Sequence, residues 1–466
     1  MKKQEEIEVV IEKFADRGKS LARVQGVVLF VPGVVPGDRI RALVIRKKRK
    51  HAEGVMLELL EPSPLRTTPR CSYFGVCGGC KWQHVEYAAQ LEAKRQSVVD
   101  ALAHLGGFRD IPVNPTIGAD PIYYYRNKME FSFSAARWLT ADEIASGEAF
   151  DTRFALGLHA PGNFSKVIDL ATCHLQSEDS VTLVNLIREV AKANDWEPWD
   201  IRKQHGYLRH LVIRNGQRTG DLMVNLYTNG YEPERIERLA MEIKARVPVV
   251  TTFVNSIHTG LAQAALSEAT HVIFGPGVIH DIIGDFRFEI APNAFFQTNT
   301  RQAERLYEVA RQSAALKPDD LVYDLFCGAG TISIFVARDA RQVVGIEVVP
   351  ESIANARANA AANGVQNCSF VLANLGKLRL DHVVEKHGAP DVVILDPPRA
   401  GLHPDLVPQL AGLGARRIVY VSCNPQTQAR DLAMLGNTYR ITDVQPVDLF
   451  PHTHHIENVI GLERND

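Results

Sequence analysis

The sequence predicts a multidomain protein. A small N-terminal β-barrel of the oligonucleotide-binding type leads into a mixed α+β centre entered through a cysteine cluster. A C-terminal doubly wound α/β domain follows. Three observations predict this. The chain has 466 residues, more than one hydrophobic core supports. Residues 4–62 are short Val/Ile runs cut by Gly and Pro turns. From Leu321 onward, apolar strand-like runs alternate with helical ones.

Hydrophobic residues make up 45% and charged residues 23%, an ordinary globular composition. No run of about 18 apolar residues exists, so no membrane helix is expected. The first residues, MKKQEEIEVVIEKF, are too acidic and broken for a secretory signal, and a cytoplasmic protein is expected. The net charge of −2 excludes a uniformly basic nucleic-acid binder. Positive charge is local: Arg46 to Lys50 (RKKRK) are consecutive, with Arg39 and Arg41 upstream. The seven cysteines are an odd number, with Cys71, Cys77 and Cys80 clustered. In a reducing compartment this implies metal binding or catalysis, not a disulfide framework.

The barrel is expected over 1–62. Strand runs are Ile7–Ile11, Val24–Val31, Arg39–Ile45 and Val55–Leu60, with turns at Asp16-Arg17-Gly18, Val31-Pro32-Gly33 and Val35-Pro36-Gly37-Asp38. Pro62–Pro69 is a linker. Residues 63–120 hold the cysteine motif and a helix over His84–Leu105. Residues 121–290 alternate strand-like runs (Tyr123–Ser134, Leu208–Ile213, Leu222–Tyr227) with helical ones (Ser177–Asn194, Glu232–Ala245). In the last domain, 291–466, strands are expected at Leu321–Leu325, Gln342–Ile346, Ser369–Leu372, Asp391–Leu395 and Arg417–Ser422. Helices are expected over Ile332–Arg338 and from Pro350 to Gly364.

Three motifs fall at strand ends, where open α/β sheets bind ligands. Cys327-Gly328-Ala329-Gly330 leads from a strand into a helix, and its glycines let a ligand approach the backbone. Glu347 ends the next strand, where an acid holds the two hydroxyls of a ribose. The plainer alternative is a tight turn and a surface acid. The full GxGxxG phosphate fingerprint is missing, which points away from a dinucleotide and toward adenosylmethionine. Asp396-Pro397-Pro398-Arg399 ends the fourth strand. It differs from the D-P-P-Y of amino-methylating enzymes at Arg399. Ser422-Cys423-Asn424-Pro425 ends the fifth and places a cysteine as a nucleophile would sit, the alternative being an inert buried thiol.

A base-methylating enzyme needs such a thiol because carbon 5 of uracil is a poor nucleophile. Thiolate addition at carbon 6 turns it into an enolate, and a base must later remove the carbon 5 proton. Glu457, in Pro451-His452-Thr453-His454-His455-Ile456-Glu457, is the candidate base. The three histidines lack a helical i, i+4 pair, so a metal site is not expected there. Cys71, Cys77, Cys80 and the distant Cys173 supply four soft ligands, suited to zinc or an iron–sulfur cluster.

FFQTN (Phe295–Asn299), DLFCGAGTIS (Asp324–Ser333), DPPRAGL (Asp396–Leu402), SCNP (Ser422–Pro425) and FPHTHHIENV (Phe450–Val459) together resemble the RNA (uracil-5-)-methyltransferase family. The N-terminal barrel resembles its TRAM RNA-binding domain. The run from Cys71 through Cys77 and Cys80 to His84 resembles the iron–sulfur motif of the 23S ribosomal-RNA branch. The resemblance implies a class I methyltransferase domain that uses S-adenosylmethionine, with Cys423 as nucleophile and Glu457 as base. It places Gln297, Phe326, Gly328, Gly330, Thr331, Glu347, Asn374 and Asp396 around the cofactor. Thr331 stands where some members carry Asn. It also implies a four-iron cluster on Cys71, Cys77, Cys80 and Cys173, with zinc as the alternative, and an RNA partner: 23S rRNA, or otherwise tRNA. A monomer is expected. The rival from another class is an RNA-binding iron–sulfur protein with an inactive methylase domain, which predicts a broken cofactor loop or a missing Cys–Glu pair.

Overall fold

The computed structural model describes residues 1–465 apart from 263, 264, 266, 377 and 378. Six strands, β1 (Glu6–Val10), β2 (Lys13–Phe14), β3 (Lys19–Val24), β4 (Val27–Pro32), β5 (Arg39–Lys47) and β6 (His51–Glu61), form one sheet in the order β1-β5-β6-β4-β3-β2. Alternate residues (Leu29, Val31, Ile40, Ala42, Val44) fill its core. The expected single strand over Val24–Val31 is two. Gln25 and Gly26, both left-handed (φ 52° and 79°), make a hairpin turn between β3 and β4. The barrel is tied to the linker by Asp38, which accepts from the Val35 and Ser63 amides and from the Arg66 guanidinium.

The helix expected over His84–Leu105 is α1 (Tyr87–Ala101), continued by a wider turn over Leu102–Gly106. Its buried face is Gln90, Lys94, Val98 and Ala101, spaced as one helical stripe. Two of those four are polar, so this face needs partners as well as apolar cover. Lys94 Nζ lies 2.6 Å from Asp448 Oδ1, and both side chains are 0% exposed. Asp448 also accepts from the Tyr87 hydroxyl (2.9 Å) and the Phe450 amide (2.9 Å).

The central sheet contains β7 (Lys128–Ser134), β8 (Ala155–His159), β9 (Val167–Asp169), β10 (Leu208–Asn215), β11 (Leu222–Thr228), β12 (Thr252–Ile257) and β13 (Ala269–Phe274). Their order is β13-β12-β11-β10-β7-β8-β9. Helix α1 is followed here by the short α2 (Ala141–Ser146), then α3 (Glu178–Ala193) and α4 (Pro233–Arg246), the last two packed on the apolar face. The strand expected from Tyr123 begins only at Lys128. The Tyr124 and Arg126 amides bond instead to the carbonyls of His174 and Leu175, across a loop. A hairpin, β14 (Ile279–Ile283) and β15 (Phe286–Ile290), leads into α5 (Thr300–Ala314).

The last sheet contains β16 (Leu321–Leu325), β17 (Gln342–Glu347), β18 (Cys368–Leu372), β19 (Val392–Leu395), β20 (Arg417–Ser422), β21 (Tyr439–Val447) and β22 (Glu457–Arg464). Helices α6 (Thr331–Val336), α7 (Pro350–Ala362), α8 (Leu380–His387), α9 (Leu406–Gly412) and α10 (Pro425–Leu435) connect them. The order is β18-β17-β16-β19-β20-β22-β21, with the first five strands parallel and β22 antiparallel to β20. Apolar clusters cover both faces, as a parallel sheet requires. No helix among the described residues is long and apolar enough to cross a membrane.

The Lys94–Asp448 pair gives a stability prediction. Lys94→Met leaves the Asp448 carboxylate buried and uncompensated, at an expected cost of about 3–5 kcal/mol. Adding Asp448→Asn removes the stranded charge and recovers part of that loss. Urea denaturation of the single and double variants checks this. Equal losses in both would refute the charge argument.

Candidate active site at the carboxyl edge of the sheet

The strand order places the expected site residues along one edge. Glu347 ends β17, the loop Phe326–Gly330 follows β16, Asn374 follows β18, Asp396 follows β19 and Cys423 follows β20. Glu457 reaches the same edge by a different route. Because β22 runs antiparallel, its first residue sits beside the ends of the parallel strands. Ser422 pairs with Asn458, so Cys423 and Glu457 are the next residues outward on neighbouring strands.

The glycine loop is built for close approach. Phe326 is left-handed (φ 67°), as are Gly328 (φ 53°) and Gly330 (φ 74°). A Cβ on Gly330 would come within 2.9 Å of the Phe370 ring, so glycine is required there. The Gly328 amide donates to Glu347 Oε2 (3.1 Å), and the other Glu347 oxygen accepts from the Val348 and Val349 amides (2.7 and 2.9 Å). The acid is therefore held rigid against the loop. Thr331 shares a hydrogen bond with the Tyr307 hydroxyl (2.9 Å). Gln297 is buried just ahead of α5, its carbonyl accepting from Asn127 Nδ2 (2.8 Å). Asn374 is exposed, and its side chain caps the Gly376 amide.

Three carboxyls crowd this edge. Burial pushes Asp324 up to about 7, even though the Ser333 hydroxyl donates to it. Burial, and then the Asp324 charge, push Asp396 up to about 7. Glu457 is raised well above the usual carboxylate range by burial and then by Asp396. The Cys423 thiol is pushed up to about 11 by burial first, then by Glu457 and Asp396, while Arg399 pulls it down. The mutual influence of these groups puts a thiol, two proton-accepting carboxyls and one cation in a single electrostatic neighbourhood.

Cys423 is half-buried, in contrast to Cys327, which is buried in the core. It opens on a cavity of about 560 Å³, whose walls include Arg399, His454 and His455. Burial lowers both histidines to about 4, so they are neutral at physiological pH. The cavity's far wall is the barrel: Lys13 and Phe14 of β2, and Arg17 on the turn between β2 and β3, line it too. Sequence reasoning missed this barrel edge, and it missed Arg399 and Tyr307. Arg399 was visible only as a departure from D-P-P-Y. Its carbonyl accepts from Asn424 Nδ2 (3.1 Å) and Thr427 Oγ1 (3.3 Å), which fastens the Asp396 loop to the Cys423 loop.

A second, smaller cavity of about 160 Å³ gathers Cys71, Cys77, Cys80 and Cys173. Burial pushes Cys77 to about 11 and Cys80 to about 12, and neighbouring thiols of the four add to both shifts. Gln83 fixes two of them: its Nε2 donates to Cys80 Sγ (3.2 Å), and its Oε1 accepts from the Cys71 amide (3.1 Å). Among the described residues, no three His, Cys, Asp or Glu groups are grouped tightly enough to hold a metal ion.

The active-site electrostatics predict thiol reactivity. The thiolate is the reactive form, so alkylation of Cys423 should rise about tenfold per pH unit between pH 7 and 10. Arg399→Ala removes the cation that lowers the thiol, so alkylation at pH 8 should slow. Peptide mass spectrometry with iodoacetamide checks both. An unchanged rate in the variant would detach Arg399 from the thiol.

Comparison with known proteins shows the family. Residues 279–465 match the family described as tRNA (uracil-5-)-methyltransferase, and residues 2–57 match the TRAM domain. A protein of Bacteroides thetaiotaomicron described as an uncharacterized RNA methyltransferase is 42% identical over 452 residues, covering 96% of this chain and 99% of that one. One from Porphyromonas gingivalis with the same description is 42% identical over 98% of this chain and 99% of its own length. The crystal structure of the Pyrococcus abyssi tRNA (uracil-54, C5)-methyltransferase in complex with S-adenosyl-L-homocysteine is similar at a TM-score of 0.75 and 29% identity. That match covers 98% of this chain and 100% of that one. The chain belongs to the tRNA (uracil-5-)-methyltransferase family and is an S-adenosylmethionine-dependent RNA methyltransferase, with a TRAM domain ahead of a class I methyltransferase fold.

Proposed function

We propose that the enzyme methylates carbon 5 of a uridine in RNA through a covalent bond between Cys423 and carbon 6. The observation that carries this is the pairing of Cys423 and Glu457 at adjoining strand ends, with the half-buried thiol open to a cavity. The Cys423 thiolate adds to carbon 6, and the electron pair of the carbon 5–carbon 6 double bond is delocalised over carbon 5 and the oxygen on carbon 4. Bound S-adenosylmethionine supplies an electrophilic methyl group. Glu457 then takes the carbon 5 proton, the carbon 5–carbon 6 double bond re-forms, and Cys423 leaves. A carboxyl whose proton affinity is raised by burial is a stronger base than a solvated one, which suits Glu457 to this step. Gln297, Phe326, Gly328, Gly330, Thr331, Glu347, Asn374 and Asp396 would hold the cofactor. Glu347, braced by three backbone amides, would take the ribose hydroxyls.

The RNA would enter between the barrel and the sheet edge. Arg39 and Arg41 are tied up in ion pairs with Glu8, Glu61 and Glu58, whereas Arg46 to Lys50 are exposed at the end of the β5–β6 hairpin. We assign ribosomal RNA as the substrate because the Cys71–Cys80 motif resembles that branch. Transfer RNA is the second reading, favoured by the name of the Pyrococcus protein. Mapping 5-methyluridine in RNA from cells with and without the gene separates the two.

We assign a four-iron cluster to the four cysteines. Four thiols gathered at one cavity suit iron–sulfur chemistry. A single zinc on the same four thiolates is the alternative. Protein purified without oxygen should be brown and hold about four irons. Cys173→Ser should lose the metal as fully as a change at Cys71, Cys77 or Cys80. Colourless protein with one zinc would decide for the alternative.

The chemistry is tested by trapping. 5-Fluorouridine RNA with cofactor should give a covalent complex, because fluorine blocks the final proton removal. Cys423→Ala should form no adduct and show no turnover while still binding cofactor. Glu457→Gln should stall on natural uridine as a methylated adduct visible on denaturing gels. Normal turnover by the glutamine variant would assign the base elsewhere.

A further inference from the structure

His452 is a buried, non-glycine residue in the left-handed region (φ 65°). Such a conformation persists only where the surroundings over-determine it. They do so here. Its carbonyl accepts from the amides of Lys81 and Trp82, both at 2.9 Å. Its amide donates to Gln90 Oε1 (2.9 Å), and Gln90 Nε2 donates to the Trp82 and Val85 carbonyls (3.0 and 2.9 Å). Its ring stacks on Tyr123 at 4.3 Å.

Each of those contacts leads back to the four-cysteine cavity. Lys81 follows Cys80. Arg70, which precedes Cys71, packs over the rings of Tyr123 and Tyr124 (5.3 and 5.1 Å) and donates to the Tyr124 hydroxyl. His174, which follows Cys173, accepts the Tyr124 amide on its carbonyl (2.8 Å). Residues flanking three separate cysteines thus converge on one junction. On its other side, the chain runs from His452 through His454 and His455, in the catalytic cavity, to Glu457. The barrel meets the same place, since Gly18 lies against Lys81 and His454.

We propose that His452 is a positioning residue through which filling of the four-thiol cavity by its metal group holds the Glu457-bearing loop in catalytic shape. This rests on the assignment of Glu457 as base and of a thiolate-bound metal to the four cysteines. With the cavity filled, Cys71, Cys80 and Cys173 are fixed to one another, and so are the arms that grip His452. With it empty, those arms are joined only by hydrogen bonds, such as those of Gln83 to Cys71 and Cys80 and of the Tyr124 hydroxyl with Arg70 and His174, and the strained residue is gripped less firmly. Attack by Cys423, which is carried by the sheet, should survive. The later proton removal should not.

The test uses full-length protein in three forms: as purified without oxygen, after anaerobic chelation, and as Cys173→Ser. Hydrogen exchange of residues 450–457 is followed by mass spectrometry, with residues 19–32 of the barrel as internal control. Both metal-free forms should exchange at 450–457 at least about tenfold faster, with the barrel unchanged. They should still trap 5-fluorouridine RNA but accumulate the methylated adduct on natural uridine. Gln90→Met, which touches neither thiols nor substrate, should keep its metal and loosen the same segment. Metal loss with unchanged exchange at 450–457 in the chelated protein would overturn the proposal. So would tight exchange in metal-loaded Gln90→Met. If Cys173→Ser unfolds throughout, the chelated wild-type protein decides. Failure of the catalytic assignment shows separately, as normal turnover by Glu457→Gln in metal-loaded protein.

Discussion

The buried pair of Lys94 and Asp448 is the constraint on which the arrangement of this enzyme depends. A helix from the segment after the cysteine motif carries a lysine with no access to water, and its counter-charge, Asp448, directly follows β21. The charge in the helix is tolerable only with the carboxylate in place, and the carboxylate only with the lysine. The pair therefore fixes helix α1 on the catalytic domain more tightly than apolar packing alone, which tolerates sliding. Around it, Lys94 also donates to the Phe450 carbonyl, and Gln302 of α5 donates to the Asp448 carbonyl. Asn299, in the FFQTN segment that also carries Gln297, reaches the next carbonyl, that of Leu449. The cofactor side and the base side of the site are thus referenced to the same two residues of backbone.

That rigidity answers an electrostatic problem. Beyond the effect of burial, Asp324 raises the proton affinity of Asp396, Asp396 raises that of Glu457, and Glu457 and Asp396 raise that of Cys423. Left to relax, such groups would separate or admit water. Here Asp396 stands at a strand end followed by two prolines, Glu457 begins a strand, and Cys423 ends one. The sheet pays for their proximity through its own hydrogen-bond ladder. The Arg399 cation pulls the Cys423 thiol down, and its loop is fastened to the thiol's loop.

The parts of this site that sequence reasoning recovered are those that lie within one βα unit. Gly328, Glu347, Asp396 and Cys423 each follow a short apolar strand, and the rule that ligands bind at the carboxyl ends places them together without knowledge of the strand order. Glu457 was legible from the motif but its strand was not. In Tyr439–Val447 the alternation is broken by Pro446, and β22 is too uniformly buried to show a period. The barrel strand Lys19–Val24 was lost because a left-handed pair at Gln25-Gly26 lies inside what looked like one apolar run. Tyr123 to Asn127 looked like strand because aromatic residues favour strands. The Tyr124 and Arg126 amides are spent on the loop at His174 and Leu175, a partner about fifty positions away that no local pattern reveals. The barrel's share of the catalytic cavity, at Lys13 to Arg17, depends on docking between domains and leaves no trace in periodicity.

In the proposed reaction, the order of the steps gives a reason for a base that arrives on an antiparallel strand. A residue on a parallel strand end is positioned by the strand behind it. A residue that begins an antiparallel strand is positioned equally by the loop that delivers it. Under that proposal Glu457 must sit within reach of carbon 5 yet act only after the methyl group has arrived there, so it must neither crowd the approach nor drift once the adduct forms. A loop gripped at its middle satisfies both demands. It turns at a strained residue, His452, held from outside by Gln90, Lys81 and Trp82, and the five residues from there to Glu457 are too short to wander. The same geometry means that whatever holds the outer arms also sets the base. The thiol on β20 needs no such support, because a ladder of six paired positions with β22 runs up to the residue before it.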